Sequence, residues 1–351
     1  MGFIDLHLHL DGAITVDIAK RLAKMQGITL PGANDDELRR ELQVPPECTD
    51  LNEFLKCFAL PCSLLQTKEA LAEAVRLVLQ DCEKQGVVYA EIRYAPQLHT
   101  EQGMSQEDAV LAALEGLKLA TANGNDFDLS ADGSGAGGPA VASDDKRIKA
   151  NLILCLMRGE GNDAANEETL RLAKKYLVED GGVVAIDIAG AEGLFSTKNY
   201  RDIFKKANEM GVPFTIHAGE ADGAESVRDA LDFGASRIGH GVRSNEDESV
   251  VDDIIRRNIP LEMCPTSNRQ THAVEDMSTY PLIDYLNKGV CVTVNTDDPA
   301  IEGTTIEKEF DYLEKEFGLT DEQRKKILEN SVEAAFTTDE VKDELRAALG
   351  L

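Results

Sequence analysis

Long apolar runs are missing from this chain of 351 residues. None approaches the roughly 20 consecutive apolar residues that a membrane-spanning helix needs. A basic and then apolar leader is missing too, because the first β-rich segment starts at the second or third residue. We therefore expect a protein that stays in the cytoplasm and does not bind membranes.

Basic residues are scarce in this sequence. Lysine and arginine together number 36, against 64 acidic residues, which gives a formal net charge of −28. Nucleic-acid polymers and anionic membrane surfaces both select basic stripes, so the charge argues against either as a partner. An acidic surface that keeps a cytoplasmic enzyme dissolved is the simpler interpretation.

A Cys-x-x-Cys pair is also absent. The seven cysteines, an odd number, are spread from Cys48 to Cys291. Small secreted scaffolds use cysteine in dense, even-numbered sets. The pattern here favours free thiols in a reducing compartment.

What the chain does contain is a regular alternation of β-rich and amphipathic segments. The β-rich segments are FIDLHLHL, VVYAEIRYAP, NLILCLM, VVAIDIAGAE, PFTIHAGE, RIGHGV, PLEMCPTSN and CVTVNTDDP. Helical periodicity is present in residues 68–85, 163–179, 198–210, 223–233 and 246–257. Eight strands alternating with helices predict an α/β fold, a single (β/α)₈ TIM-type barrel. An open doubly wound sheet is the alternative, and the lack of a glycine-rich fingerprint after the first strand weighs against it.

Two regions interrupt the alternation, although we expect residues 1–351 to form one domain. Residues 28–66 predict extra helices after the first strand, and further helices are expected at the C-terminus. Residues 121–145 are rich in Gly, Ala, Ser and Asp, with one aromatic residue. That composition buries little apolar surface, so it predicts a flexible surface insertion.

Four of the six histidines stand at or near predicted strand ends: His7, His9, His217 and His240. His7 and His9 are two residues apart and share one face of the first strand. On the inner face of a barrel, unpaired imidazoles and carboxylates are costly. The first and eighth strands are neighbours in a barrel and the fifth lies across from them, so His7, His9, His217 and Asp297 can converge on one metal. Three histidines and one carboxylate suit zinc.

Three further polar groups are expected around that metal: Glu220, His240 and Asp298. A metal of this kind activates water for attack on a polarised carbon. The three groups supply a general acid–base set. Each alone also has a structural interpretation, since a glutamate after a strand is commonly solvated, but the set favours an active site. His99 and His272 match no role, and we expect them to be ordinary loop residues.

Six segments resemble the signature segments of the adenosine deaminase family of amidohydrolase barrels. These segments are HLHLDGAI, DIAGAE, TIHAGE, RIGHGV, CPTSN and NTDDP. They occur in the family's order and at similar separations, over nearly the whole chain except residues 121–145. The resemblance implies zinc-dependent hydrolysis of adenosine and 2′-deoxyadenosine to inosine, deoxyinosine and ammonia, by attack of a zinc-activated hydroxide at purine C6. Related barrels with two metals bridge them by a lysine on the fourth strand; that segment has none here, so one zinc per chain is expected.

The resemblance also implies a role for each site residue. The zinc ligands would be His7, His9, His217 and Asp297. Glu220 would protonate N1, and His240 would orient the hydroxide and accept its proton. Asp298 would position the hydroxide and meet N7.

The substrate pocket follows from the same resemblance. The backbone N–H of Gly190 would donate to N3, and Asp11 would bind the ribose 5′-hydroxyl. Phe54 and Phe58 would form an apolar lid, although plain helix packing explains them equally well. The residues expected to contact substrate are therefore His9, Asp11, Gly190, Asp298, Phe54 and Phe58.

Several alternatives stay open. Adenine deaminases typically carry HLEG where this chain has HLDG, and the shorter Asp11 leaves room for a ribose. Adenine or another 6-aminopurine metabolite remains the alternative substrate, because one methylene discriminates by only a few kcal/mol. A non-catalytic binding protein on this scaffold is less favoured, since no expected ligand is missing. A hydrolase of esters or cyclic amides would not explain Glu220, Gly190 and Asp298 together.

Overall fold

Eight parallel strands lie side by side in sequence order within the described part of the chain. The computed structural model describes residues 2–121 and 147–351. The strands are β1 (Phe3–His9), β2 (Val87–Tyr94), β3 (Lys149–Met157), β4 (Val183–Ala189), β5 (Thr215–Ala218), β6 (Arg237–His240), β7 (Leu261–Met263) and β8 (Val292–Val294).

The strands close into a barrel. β1 to β4 form one parallel sheet and β5 to β8 form another. Parallel bridges join the two sheets at both edges, between Ile186 and Phe214 and between Leu8 and Asp297. At the second junction the N–H of Asp297 donates to the carbonyl of His7 over 2.8 Å. The predicted α/β class and (β/α)₈ barrel are confirmed.

Helices fill the described connections, the predicted helical region at residues 28–66 and the C-terminal region. They are α1 (Val16–Gln26), α2 (Asp35–Leu42), α3 (Leu51–Phe54), α4 (Ala59–Ser63), α5 (Lys68–Lys84), α6 (Gln106–Thr121), α7 (Asp163–Tyr176), α8 (Arg201–Met210), α9 (Ala224–Phe233), α10 (Glu248–Arg257), α11 (Pro265–Gln270), α12 (Leu282–Lys288), α13 (Pro299–Glu302), α14 (Ile306–Phe317), α15 (Asp321–Ala334) and α16 (Asp339–Leu349). Short 3₁₀ helices span Asp11–Ala13, Leu55–Phe58, Pro96–His99, Thr197–Tyr200, Val242–Glu246 and Met277–Thr279. The predicted insertion at 121–145 lies outside the described residues, apart from Thr121 at the end of α6.

One predicted strand is shorter than its segment. The segment PLEMCPTSN is a strand only over Leu261–Met263, and α11 starts at Pro265. Proline has a fixed φ suited to the first helical turn and lacks the N–H that a strand would use. The change of direction brings the side chains of CPTSN onto a helix beside the strand ends.

Alternation along β1 separates apolar core from polar interior. Ile4, Leu6 and Leu8 are buried in the large apolar core that the strands share with the surrounding helices. Asp5 and His7 are equally buried but lie on the other face of the strand. There they meet polar partners from β7 and from the residues after β8.

Ion pairs fill the barrel interior beneath the strand ends. The guanidinium of Arg93 lies 2.8 Å from Asp187 and 2.8 Å from Glu262. Arg237 lies 2.6 Å from Glu262 and 2.6 Å from Glu91. All five side chains are almost completely buried. Buried charges are tolerated only when paired and hydrogen-bonded, and this layer meets that condition.

Candidate active site

Four side chains converge where the barrel strands end. Nε2 of His7 and Nε2 of His9 lie 3.1 and 3.2 Å from Nε2 of His217. Oδ1 of Asp297 lies 3.2 Å from His7 Nε2 and 3.4 Å from His9 Nε2. One ligand atom from each of the four residues falls within 4.8 Å of all the others. The set can hold a metal ion.

Carboxylates at Nδ1 fix the tautomers of two imidazoles. Nδ1 of His7 lies 2.8 Å from Glu262, and Nδ1 of His217 lies 2.8 Å from Asp187. A proton on each Nδ1 satisfies these carboxylates and leaves each Nε2 as a bare lone pair. Two lone pairs facing each other at 3.1 Å in a buried site repel unless a cation lies between them. The chemistry of this donor set therefore fits a bound metal.

Backbone strain marks two of the strand ends. Asp297 and His240 have φ values of 61° and 60°, in the left-handed region that residues with a side chain seldom adopt. Such strain persists at functional sites because the surrounding structure enforces it. Gly239 adds a close approach, since a Cβ there would lie 3.1 Å from the ring of His7.

Glu220 lies in the loop after β5, on a backbone held by another carboxylate. Glu192 accepts hydrogen bonds from four successive backbone N–H groups, those of residues 219, 220, 221 and 222, at 2.7–3.1 Å. Burial, with Asp297 and Glu192 nearby, raises the pKa of Glu220 well above its ordinary value. Its buried position therefore favours the protonated form of the Glu220 carboxyl group.

His240 faces the same space from β6. Its Nε2 lies 3.6 Å from Glu220 Oε2 and 3.6 Å from Asp297 Oδ2. On the far side of the ring, Nδ1 lies 3.0 Å from the side-chain amide nitrogen of Asn268, on α11. His240 is almost completely buried.

Asp298 and Asp11 provide two more carboxyl groups at the site. Burial, followed by the charges of Asp297 and Asp11, raises the pKa of Asp298 well above its ordinary value. Asp298 packs directly over Gly12, where any side chain would collide with it. Oδ2 of Asp11 accepts a hydrogen bond from the Cys62 thiol over 3.4 Å.

These groups open onto one cavity of about 310 Å³. Ten predicted site residues line it: His9, Asp11, Phe54, Phe58, Gly190, His217, Glu220, His240, Asp297 and Asp298. The remaining one, His7, lies beneath the cavity and is completely buried. The lining combines these polar side chains with apolar ones, including the rings of Phe54 and Phe58, whose centroids are 6.1 Å apart.

Gly190 has a backbone shape that requires glycine. Its φ of 102° lies outside what a side chain tolerates. It follows β4 and lines the cavity, so that its backbone can come close to a flat ligand.

Several polar residues of the site were not predicted from the sequence. The carboxylates of Asp187 and Glu192 contact, respectively, the ring of His217 and the backbone beside Glu220. The side chain of Arg93 contacts both Asp187 and Glu262. Arg158 contributes a guanidinium to the cavity lining. Asp187 and Glu192 were visible as acidic residues inside the otherwise apolar segment VVAIDIAGAE.

The expectation for His99 is wrong, and His272 makes a specific contact. His99 ends a 3₁₀ helix and is completely buried, and its ring packs beside that of Tyr94 at 5.9 Å between centroids. His272 lies with Nε2 3.0 Å from the carbonyl oxygen of Cys48. Neither lines the cavity.

Comparison with known proteins supplies the family. A family model described as adenosine deaminase matches residues 3–350. The adenosine deaminase of Haemophilus ducreyi is 49% identical over 347 residues, covering 99% of this chain and 95% of the relative.

Solved structures add two relatives with other substrates. The adenine deaminase from Arthrobacter aurescens is 28% identical, with a TM-score of 0.83, and 99% of this chain and 97% of that one are covered. The N6-mAMP deaminase of Arabidopsis is 25% identical, with a TM-score of 0.80, over 100% and 98% of the two chains. Within the described residues, no helix is long and apolar enough to cross a membrane.

Proposed function

The chain belongs to the adenosine deaminase family, and on that premise we propose that it converts adenosine and 2′-deoxyadenosine into inosine, deoxyinosine and ammonia with one bound zinc ion. The convergence of His7, His9, His217 and Asp297 beside Glu220, over one cavity, is the observation that carries the proposal. The relative with 49% identity over 99% of the chain supports the same reaction.

The ligand set supports zinc in particular. Zinc prefers tetrahedral sites with nitrogen ligands at about 2.0–2.1 Å, which separates neighbouring ligand atoms by about 3.3 Å. The four nitrogen and oxygen separations of this cluster, 3.1 to 3.4 Å, are close to that value. A bound zinc ion supplies Lewis acidity that makes water nucleophilic at neutral pH.

The purine is held and activated by the chain's own groups. Burial raises the pKa of Glu220 and favours its protonated form, which would protonate N1 and make C6 electrophilic. Asp298, with its raised pKa, is suited to donate to N7. The backbone N–H of Gly190, a residue of the cavity lining, would meet N3. These three polar contacts, at N1, N7 and N3 of the purine, would direct C6 towards the metal ligands.

The attacking water would lie beside His240, Glu220 and Asp297. Nε2 of His240 lies 3.6 Å from Oε2 of Glu220 and 3.6 Å from Oδ2 of Asp297, so one water beside these atoms would be within hydrogen-bond reach of His240 and a carboxyl group together. We assign to His240 the orientation of this water. His9 lines the same cavity and would contact both zinc and substrate.

The ribose end of the cavity favours a nucleoside over a nucleotide. Asp11 would accept the 5′-hydroxyl, and a phosphate there would meet its negative charge. Among the described residues of the lining, Arg158 is the only lysine or arginine. Its guanidinium is already bound to the carbonyls of Phe195 and His217 and to the hydroxyl of Thr197. Arg269 stacks on Tyr312 and does not line the cavity.

The remaining expectations form part of the same proposal. We propose that residues 1–351 act as one domain, since one apolar cluster runs from Phe3 to Leu349 among the described residues. Phe54 and Phe58 would cover the apolar face of the bound purine. The cytoplasmic location and the absence of nucleic-acid and membrane partners remain predictions from the sequence.

Ammonia release from adenosine, adenine and AMP, measured side by side, tests the proposal. A metal-stripped sample of the same protein serves as the control. We expect activity on adenosine that disappears on stripping and returns with zinc. Activity on adenine alone would overturn the role of Asp11, and activity on AMP alone would overturn the nucleoside preference. No activity on any of the three would contradict the proposed reaction.

A further inference from the structure

A buried relay of two side chains ends on the ring of His240. The hydroxyl of Tyr280 lies 3.0 Å from Oδ1 of Asn268. The amide nitrogen of Asn268 lies 3.0 Å from Nδ1 of His240. Asn268 is completely buried, and Tyr280 and His240 are nearly so, which leaves these polar atoms no access to bulk water.

The hydroxyl of Tyr280 determines the orientation of the Asn268 side-chain amide. A phenolic O–H needs an acceptor when it is buried. Among the hydrogen bonds of the described residues, Asn268 Oδ1 is the one acceptor for Tyr280. Turning the amide over would place its NH₂ against the phenol and leave the phenolic hydrogen without a partner. The amide oxygen therefore faces Tyr280 and the NH₂ faces His240.

We propose that Tyr280 and Asn268 are positioning residues that hold neutral His240 in the tautomer with its proton on Nε2. An amide N–H pointing at Nδ1 requires a lone pair there, because two N–H groups cannot face each other at 3.0 Å. The ring proton then sits on Nε2, on the side of Glu220 and Asp297. His240 meets the attacking water as a hydrogen-bond donor.

The assignment rests on the proposed function and changes one role within it. The family resemblance implies that His240 accepts a proton from the attacking oxygen. With Nε2 already protonated and Nδ1 engaged by an amide donor, a carboxylate must accept instead. Glu220 becomes that carboxylate after it gives its proton to N1. It can take one water proton and pass it to the C6 amino group, which leaves as ammonia when the C6–N bond breaks, and then take the second water proton, so it ends protonated, as it began.

The tautomer can be observed without turnover. The zinc-loaded enzyme, labelled with nitrogen-15 at histidine only, contains six imidazoles, and a His240→Asn variant identifies the signals of His240. We expect the protonated nitrogen of His240 to be Nε2, whereas His7 and His217 carry their proton on Nδ1. A proton on Nδ1 of His240 would overturn the proposal. A wild-type enzyme without activity would instead refute the proposed function, so the two failures are distinguishable.

Kinetics of the relay variants provide a second test. Asn268→Ala should lower kcat about 10- to 100-fold with KM changed less than about threefold, because the donor orientation is lost but the pocket is not. Tyr280→Phe should lower kcat by a smaller factor. In the double variant the loss should equal that of Asn268→Ala alone, since Tyr280 acts through Asn268. Losses that simply multiply would show that Tyr280 acts independently and would refute the relay.

Tyr285→Phe is the matched control. This tyrosine is equally buried, and its hydroxyl bonds the backbone of Val242 and Asn245 without touching the cavity. We expect a loss of stability similar to that of Tyr280→Phe, with kcat unchanged. A fall in kcat as large as that of Tyr280→Phe would mean that any lost buried hydroxyl slows the enzyme, which would refute the specific role of the relay.

Discussion

The carboxylate of Asp187 lies 2.8 Å from Nδ1 of His217, on the side of the ring opposite to the candidate metal position. Carboxylates in this position fix the tautomer of a ligating histidine and make its other nitrogen more basic. Asp187→Asn should therefore weaken zinc affinity by about 10- to 100-fold. Zinc titration against a competing chelator measures the change.

Glu91→Gln provides the control for Asp187→Asn. Asp187 pairs with Arg93 and Glu91 pairs with Arg237, and each arginine keeps Glu262 when its other partner is neutralised. Each variant should lower the free energy of unfolding by about 2–4 kcal/mol. Only Asp187→Asn should lose zinc affinity. Equal losses of affinity in the two variants would show that the site depends on general stability rather than on this contact of Asp187 with His217.

Glu220→Gln should separate chemistry from binding. The amide keeps the shape of the side chain but has no acidic proton for N1, so we expect kcat to fall by about 10²- to 10⁴-fold. Zinc content and inosine binding, measured by metal analysis and calorimetry, should stay close to wild type. Glu225→Gln, an exposed residue of the neighbouring α9, should change none of these quantities. Full activity of Glu220→Gln would refute the role at N1.

Glu192→Gln should impair both stability and catalysis. Its carboxylate accepts four backbone N–H groups of the loop that carries Glu220. Hydrogen bonds to a charged acceptor are worth more than neutral ones, so the unfolding free energy should fall by about 2–3 kcal/mol. The loosened loop should also lower kcat. Urea unfolding and steady-state kinetics measure both; an unchanged kcat would mean that the loop keeps its shape without this anchor.

The predicted residues share one property, which is that local rules suffice to place them. Alternation assigns His7 and His9 to one face of β1, and parallel strands in a barrel bring their ends together. The end of β8 then falls beside the end of β1, and the end of β5 faces them across the barrel, without any knowledge of side-chain packing. This is why strand order predicts that His217 and Asp297 lie close to His7, as they do in the structure.

The positions of the charged residues beneath the site depend on packing across the barrel. Arg93 reaches Glu262, which stands 169 positions away in sequence, and no periodicity encodes that pairing. The sequence does carry a hint, because Glu91 and Arg93 alternate inside a strand whose other residues are apolar. Asn268 was hidden for another reason. Its segment was predicted as a strand end, and on α11 its side chain turns towards His240 instead.

His99 should make the protein less stable as the pH falls. Burial lowers the pKa of His99 from 6.5 to about 4, and neither ring nitrogen has a hydrogen-bond partner among the described residues. The unfolded chain therefore binds a proton at a pH where the folded chain does not. This contribution to stability is complete above pH 6.5 and is lost as the pH falls towards 4.

His99→Phe should remove this dependence, since the phenyl ring fits a buried apolar environment and does not titrate. Between pH 8 and pH 5, wild type should lose about 2 kcal/mol more unfolding free energy than the variant. Urea unfolding of the two zinc-loaded proteins at matched pH values measures the difference, and the contributions of the other histidines cancel because both proteins contain them. Parallel curves over this range would mean that His99 gains a partner or water on protonation, and would contradict its burial as a neutral ring.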